Sequence, residues 1–219
     1  MATAAILGPL QSVRAEAEKA AGRPLVIEYG SARGNLKQAI LAGQEFEVAI
    51  LLADVNEELL AQDKILPQTQ AIAHAPIAIG LRGDVPAPDV STPEALKTAL
   101  LAAKSVGYAP TGAARDTVDK ILGTLGIGAA IKNSSKRDPA APVPLGPGEY
   151  EINIYPLSEI LPNKRMKNLG LVPAALQVPA TLEVAIGKHA NDRQAAEALI
   201  KFLAGSALDA PLAQSGMTK

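Results

Sequence analysis

Two short stretches collect the residue types that bind anions. Tyr29-Gly30-Ser31-Ala32-Arg33 follows an apolar run and opens a helix, and Pro110-Thr111-Gly112-Ala113-Ala114-Arg115 repeats the design further along. The first N–H groups of a helix lack intrahelical partners, and the positive end of its dipole attracts negative charge. Ser31 and Thr111 add hydroxyl donors at those points. Arg33 and Arg115 add guanidinium groups, which hold a planar carboxylate through two parallel bonds. Taken singly, each stretch reads first as a capped helix, with Ser31 serving its own backbone and Arg115 pairing with Asp119 one turn on. Taken as a pair, they predict two grips on one small anion, and two arginines suit a carboxylate better than a spherical oxyanion.

Other chemistry is thinly represented. The chain of 219 residues has no cysteine, which removes disulfides, thiol nucleophiles and thiolate metal sites. Its two histidines, His74 and His189, are far apart in sequence, so a histidine-rich metal site is not expected; no cofactor is expected either. Net charge is −1 with the basic residues dispersed, and aromatics are only 3%, so no nucleic-acid partner is expected. The start, Met1-Ala2-Thr3-Ala4-Ala5-Ile6, carries no basic n-region and is no secretory signal peptide. It fits a cytoplasmic protein whose native start is Met1, or a periplasmic one already processed.

These residues are positioned by alternating helices and apolar strands, the pattern of an α/β fold with a mainly parallel sheet. Ala2–Ile6 reads as a very short strand or a loop, and Leu25–Tyr29 as a buried strand. Ser31–Leu41 reads as a helix, Glu47–Leu52 as a strand, and Asp54 as the N-cap of the next helix. Pro76, inside the apolar run 71–81, predicts a kink or a passage between sheets. Thr92 or Ser91 caps a helix opening at Pro93. Residues 132–148, with four prolines, read as a long loop. Glu151–Tyr155 reads as a strand, and Asn191 as the cap of the last long helix. In such folds ligands sit outside the carboxyl ends of the strands.

The ordered landmarks Val26-Ile27-Glu28-Tyr29-Gly30-Ser31, Phe46-Glu47-Val48-Ala49-Ile50-Leu51, Ala102 to Tyr108, Leu157-Ser158-Glu159-Ile160-Leu161-Pro162 and Ala196-Leu199-Phe202-Leu203 resemble the type II periplasmic solute-binding proteins. The likeness is to the branch containing molybdate-binding proteins. It implies two α/β lobes with mixed sheets flanked by helices, joined by two crossing hinge strands, with 1–76 and 182–219 as lobe one and 77–181 as lobe two. It further implies ligand contacts from Thr3 and Ala4, from Ser31, from Thr111, Gly112 and Ala113, and from Tyr155. A small anionic ligand and the membrane subunits of an ABC importer are the implied partners.

Two functions follow. The first is binding of a di- or tricarboxylate or an oxyanion between the lobes, with Arg33 and Arg115 added to the contacts the resemblance implies. The second is a cytoplasmic enzyme on the same fold, isomerising a small unsaturated acid by proton transfer. Its candidate catalytic groups are Tyr155, Ser31 and His74, although a histidine in the apolar run beside Pro76 reads more simply as part of the hinge or core.

Overall fold

The computed structural model describes residues 1–108, 113–134 and 148–219. The first stretch holds β1 (Ala2–Thr3), α1 (Leu7–Ser12), α2 (Arg14–Ala21), β2 (Tyr29–Gly30), α3 (Lys37–Leu41), β3 (Val48–Leu52), α4 (Ala53–Ala61) and β4 (Ile65–Ala75). The middle holds β5 (Ile77–Arg82), α5 (Pro93–Ala102), β6 (Val106–Tyr108), α6 (Ala113–Thr124), α7 (Gly128–Ser134), β7 (Ile152–Pro156), α8 (Leu157–Ile160) and β8 (Met166–Leu171). The chain then runs through β9 (Ala180–Gly187), α9 (Arg193–Ala204) and α10 (Asp209–Gln214). Two compact units result: Met1–His74 with Ala180–Lys219, and Ala75–Pro179.

The first unit is built on a five-stranded sheet in the order β2-β1-β3-β9-β4. Strand β1 runs parallel to β2 and β3, whereas β9 runs antiparallel to β3 over Val48–Leu52. All five residues of β3 are buried, as expected of a central strand enclosed by helices. Helix α9 presents Ala196, Leu199 and Leu203 inward at helical spacing and packs against both α2 and β9. Its cap is Asp192, which accepts the Ala195 N–H at 3.0 Å, so the cap falls one residue later than Asn191.

The second unit has a four-stranded sheet, β6-β7-β5-β8, with β6 and β7 parallel and the other pairs antiparallel. Both sheets are therefore mixed rather than mainly parallel. Strand alternation divides β5: Ile77, Ile79 and Leu81 join a core with Leu96, Leu100, Val118 and Leu122, while Ala78 joins Tyr155, Ile160 and Met166. Thr92 caps α5 by accepting the Ala95 N–H, with Pro93 at its first position. Gln177 ties down the start of β5: its Oε1 accepts the Ile77 N–H and its Nε2 donates to the Ile77 carbonyl, both at 2.9 Å. The fully buried Asn153 does the same for the turn before β7, accepting from Gly148 N and donating to the Tyr150 carbonyl.

Pro76 separates β4 from β5, which belong to different sheets, because proline has no N–H to give to a ladder. Two local readings change. The expected strand Leu25–Tyr29 pairs only at Tyr29–Gly30, and the Val26 side chain is 100% exposed. Among the described residues its ladder partner, β1, is two residues long, so before Tyr29 the pairing goes no further than the Glu28 carbonyl, which accepts from Ala2 N. Asp54 is not a cap: α4 begins at Ala53, and the Asp54 carboxylate lies within its first turn. Of the proline-rich loop expected over 132–148, Lys132–Ser134 are helical and 135–147 lie outside the described residues.

Candidate functional site

The loops after β1, β2 and β3 lie on one edge of the first sheet because the three strands are parallel. Thr3, the last residue of β1, is buried, and the chain turns at once into a 3-10 turn, Ala4–Ile6, that leaves Ala4 exposed. Thr3 pairs in register with Gly30, which brings Thr3, Ala4 and Ser31 side by side.

The β2-to-helix turn has a wound, wide form. Ser31 is extended, and Ala32–Leu36 makes a π-type turn with Gly34 off helical geometry before α3 begins. Hydrogen bonds centred on Ser31 hold it. The Ser31 Oγ accepts from Gly34 N at 3.2 Å, Asn35 Oδ1 accepts from Ser31 N at 2.9 Å, and Leu36 N bonds to the Ser31 carbonyl. Asn35 lies so close over Gly30 that a Cβ there would meet its amide at 2.5 Å, which explains the glycine. With its oxygen engaged as an acceptor, the exposed Ser31 hydroxyl keeps its O–H as a donor.

Arg33 reaches across this edge to the first turn of α4, its Nη2 standing 2.5 Å from Asp54 Oδ2. The pair is partly open, with the side chains 29% and 45% exposed. An aspartate in the first turn of a helix sits favourably with the dipole, so Asp54 stabilises α4 and orients Arg33 together. The sequence pointed to Arg33 but not to this partner. The available signal was position, a carboxylate two residues past the end of a fully buried strand.

In the second unit Arg115 extends from the first turn of α6. Its Nε donates to Asp119 Oδ2 at 2.7 Å, one turn on, and its guanidinium lies 4.9 Å from the centre of the Tyr108 ring. The hydrogen bond to Asp119 raises the Arg115 pKa, and burial raises that of the Tyr108 phenol, an effect Arg115 opposes. Tyr108 is thus part of the Arg115 grouping. Thr111 and Gly112 lie outside the described residues, and Ala113 is the first residue of α6.

Tyr155 is buried in β7, only 4% exposed, and burial pushes its phenol up to about 12, with the charges of Glu159 and Tyr150 adding to the shift. His74 belongs to the first unit. It exchanges two backbone bonds with Thr218, and its Nδ1 stands 3.1 Å from Thr181 Oγ1. Among the described residues no group of three or more His, Asp or Glu side chains could hold a metal ion. No helix among them is long and apolar enough to cross a membrane.

This fold matches the family model described as bacterial extracellular solute-binding protein over residues 1–218. The chain belongs to that family. It is 25% identical over 224 residues to an aconitate isomerase from a Pseudomonas species, an alignment covering 99% of this chain and 86% of that one. Among solved structures it is similar to the periplasmic molybdate-binding protein of Azotobacter vinelandii, with a TM-score of 0.69, 20% identity, and coverage of 100% and 97% of the two chains. It is also similar to the sulfate-binding protein SubI of Mycobacterium tuberculosis H37Rv, with a TM-score of 0.72, 13% identity, and coverage of 99% and 84%. The fold is that of the type II periplasmic solute-binding proteins.

Proposed function

We propose that the protein binds a small polycarboxylate. The Arg33 group, at the carboxyl edge of the first sheet, grips a carboxylate, with the Ser31 hydroxyl beside it. One observation carries this reading: Arg33, in the turn after β2, pairs with Asp54, in the first turn of the helix after β3, on the edge where α/β sheets bind ligands. A guanidinium already paired with a carboxylate is set to exchange it for a ligand's, while Ser31 offers a neighbouring hydroxyl donor. The full-length likeness to an aconitate isomerase supports a tricarboxylate, and the molybdate- and sulfate-binding neighbours support anion binding in general. As a member of a solute-binding family, the protein then serves as the receptor of an ABC-type importer.

The same relative favours a second reading, isomerisation of an unsaturated tricarboxylate. That chemistry needs a base beside the ligand. Tyr155, with its phenol at about 12, is protonated at neutral pH and suits an acid role, and His74 is turned to Thr181. Binding without chemistry is therefore the reading the described residues support better.

Thermal-shift titration with citrate, cis- and trans-aconitate, molybdate and sulfate tests the proposal. A tricarboxylate at 100 times its Kd stabilises by about 2.7 kcal/mol, a shift of several degrees. A response to the oxyanions alone overturns the carboxylate assignment. Proton NMR of the aconitate samples separates the two readings, since a binding protein leaves the isomer unchanged.

A further inference from the structure

The two faces of the second sheet differ. One carries the large core shared by β5, α5 and α6. On the other, Gly107, Asn153 and Gly80 form a row across β6, β7 and β5, and Tyr155 and Ala78 form the next. The absent side chains leave room there. The Tyr150 ring lies on Gly107, and Met166 Sδ is 2.7 Å from where a Gly80 Cβ would stand. The buried Asn153 amide bonds to Gly148 N and the Tyr150 carbonyl, which fixes the turn that brings this ring in.

Tyr155 stands at the carboxyl end of β7, beside the parallel end of β6, and the chain turns at once into α8. Glu159, four residues on in α8, acts on the Tyr155 phenol with its charge, as does Tyr150. Neither Tyr155 nor Glu159 has a hydrogen-bond or ion-pair partner among the described residues. The Tyr155 hydroxyl keeps an open side, unlike that of Tyr29, which is sealed off without a partner. Glu159 also reaches solvent, yet the protein crowding it raises its pKa by burial. Helix α8 packs on β5, β7 and β8, whose charged side chains are Arg82 and Lys167. Both of those act on Asp84, so neither cation offsets the desolvation of Glu159.

We propose that Tyr155 and Glu159 form a carboxyl-binding site that takes up a proton with its ligand. The Tyr155 O–H donates to the incoming carboxylate. The charge of Glu159, already felt by the phenol, repels that carboxylate for as long as both are ionised. One proton from solvent therefore enters with the ligand and is held between the two carboxyl groups, as in other carboxyl pairs, and no bond to carbon changes. A cation would satisfy Glu159 but leave the phenol O–H without an acceptor, whereas a carboxyl group uses both. The ligand's chemistry is that of the polycarboxylate reading above, on which the proposal rests; the site itself stands on the second unit alone.

Calorimetry with citrate and with trans-aconitate from pH 6 to 8, in buffers of different ionisation heat, counts the protons taken up. The parent should take up at least about half a proton per ligand more than Glu159→Gln, and its Kd should tighten by up to about tenfold more than the variant's for each unit the pH falls. Tyr155→Phe should weaken Kd about tenfold and keep the uptake. Equal uptake by the parent and Glu159→Gln overturns the proposal while leaving the polycarboxylate reading intact. A Kd for Tyr155→Phe within twofold of the parent overturns it too. A parent that binds neither acid sinks both together. Conversion of the aconitate isomer by the parent and not by Glu159→Gln also overturns it, because Glu159 is then a base acting on carbon.

Discussion

Replacing Arg33 with alanine separates a ligand contact from a structural ion pair. In the free protein Arg33 is held by Asp54 at 2.5 Å, and both side chains are partly exposed, so the pair itself is worth only about 0–1 kcal/mol. Losing it should lower Tm by no more than about 2–4 °C in a chain of 219 residues. Charge-assisted hydrogen bonds to a bound carboxylate contribute more, about 1.5–3 kcal/mol, less what Arg33 gives up when it leaves Asp54. The net loss of about 2 kcal/mol corresponds to a Kd about 30-fold weaker. Isothermal titration with the tricarboxylate that gives the largest thermal shift measures it directly. Asp54→Asn removes the internal competitor and should act in the opposite direction, tightening binding by up to about fivefold. Arg33→Lys keeps the charge without the fork and should recover only part of the loss. A Kd for Arg33→Ala within twofold of the parent would falsify the assignment. A Tm fall beyond about 10 °C would instead make Arg33 a structural residue.

The folded pKa of Tyr155 is raised to about 12 from 10, so its contribution to stability is intact below pH 10 and is lost as pH climbs toward 12. Melting curves from pH 8 to 12 should show a fall through that window that Tyr155→Phe reduces, and identical alkaline curves for the two proteins would contradict the burial argument. In β6, a Cβ on Gly107 would run into the Tyr150 ring, so Gly107→Ala should cost about 1–3 kcal/mol in urea unfolding; no change in midpoint would mean that the ring moves aside freely.

Much of the fold was legible because the signals are local. The buried run Val48–Leu52, the Thr92–Pro93 cap and the break at Pro76 each depend on residue types within one turn or strand. Arg115 pairing with Asp119 was legible for the same reason, since helical spacing alone places them together. Ser31 and Arg33 stood out as residue types at a strand-to-helix turn.

What lay beyond reach were features set by contacts distant in sequence. Leu25 to Tyr29 has the composition of a buried strand, but a strand is completed by its neighbour, and β1 supplies only two residues of ladder. The antiparallel placement of β9 against β3, which makes the sheet mixed, joins segments more than a hundred residues apart. Asp54 was assigned to its own helix because capping is local chemistry, whereas its bond to Arg33 exists only once β2 and β3 lie in one sheet. The sequence by itself determined where residue types suited to anions stand and the elements whose signals are local, such as the strand Val48–Leu52 and the helix opening at Pro93. Tertiary structure decided which carboxylate pairs with Arg33 and how far each strand's ladder runs, because ion pairs and ladders are completed across space.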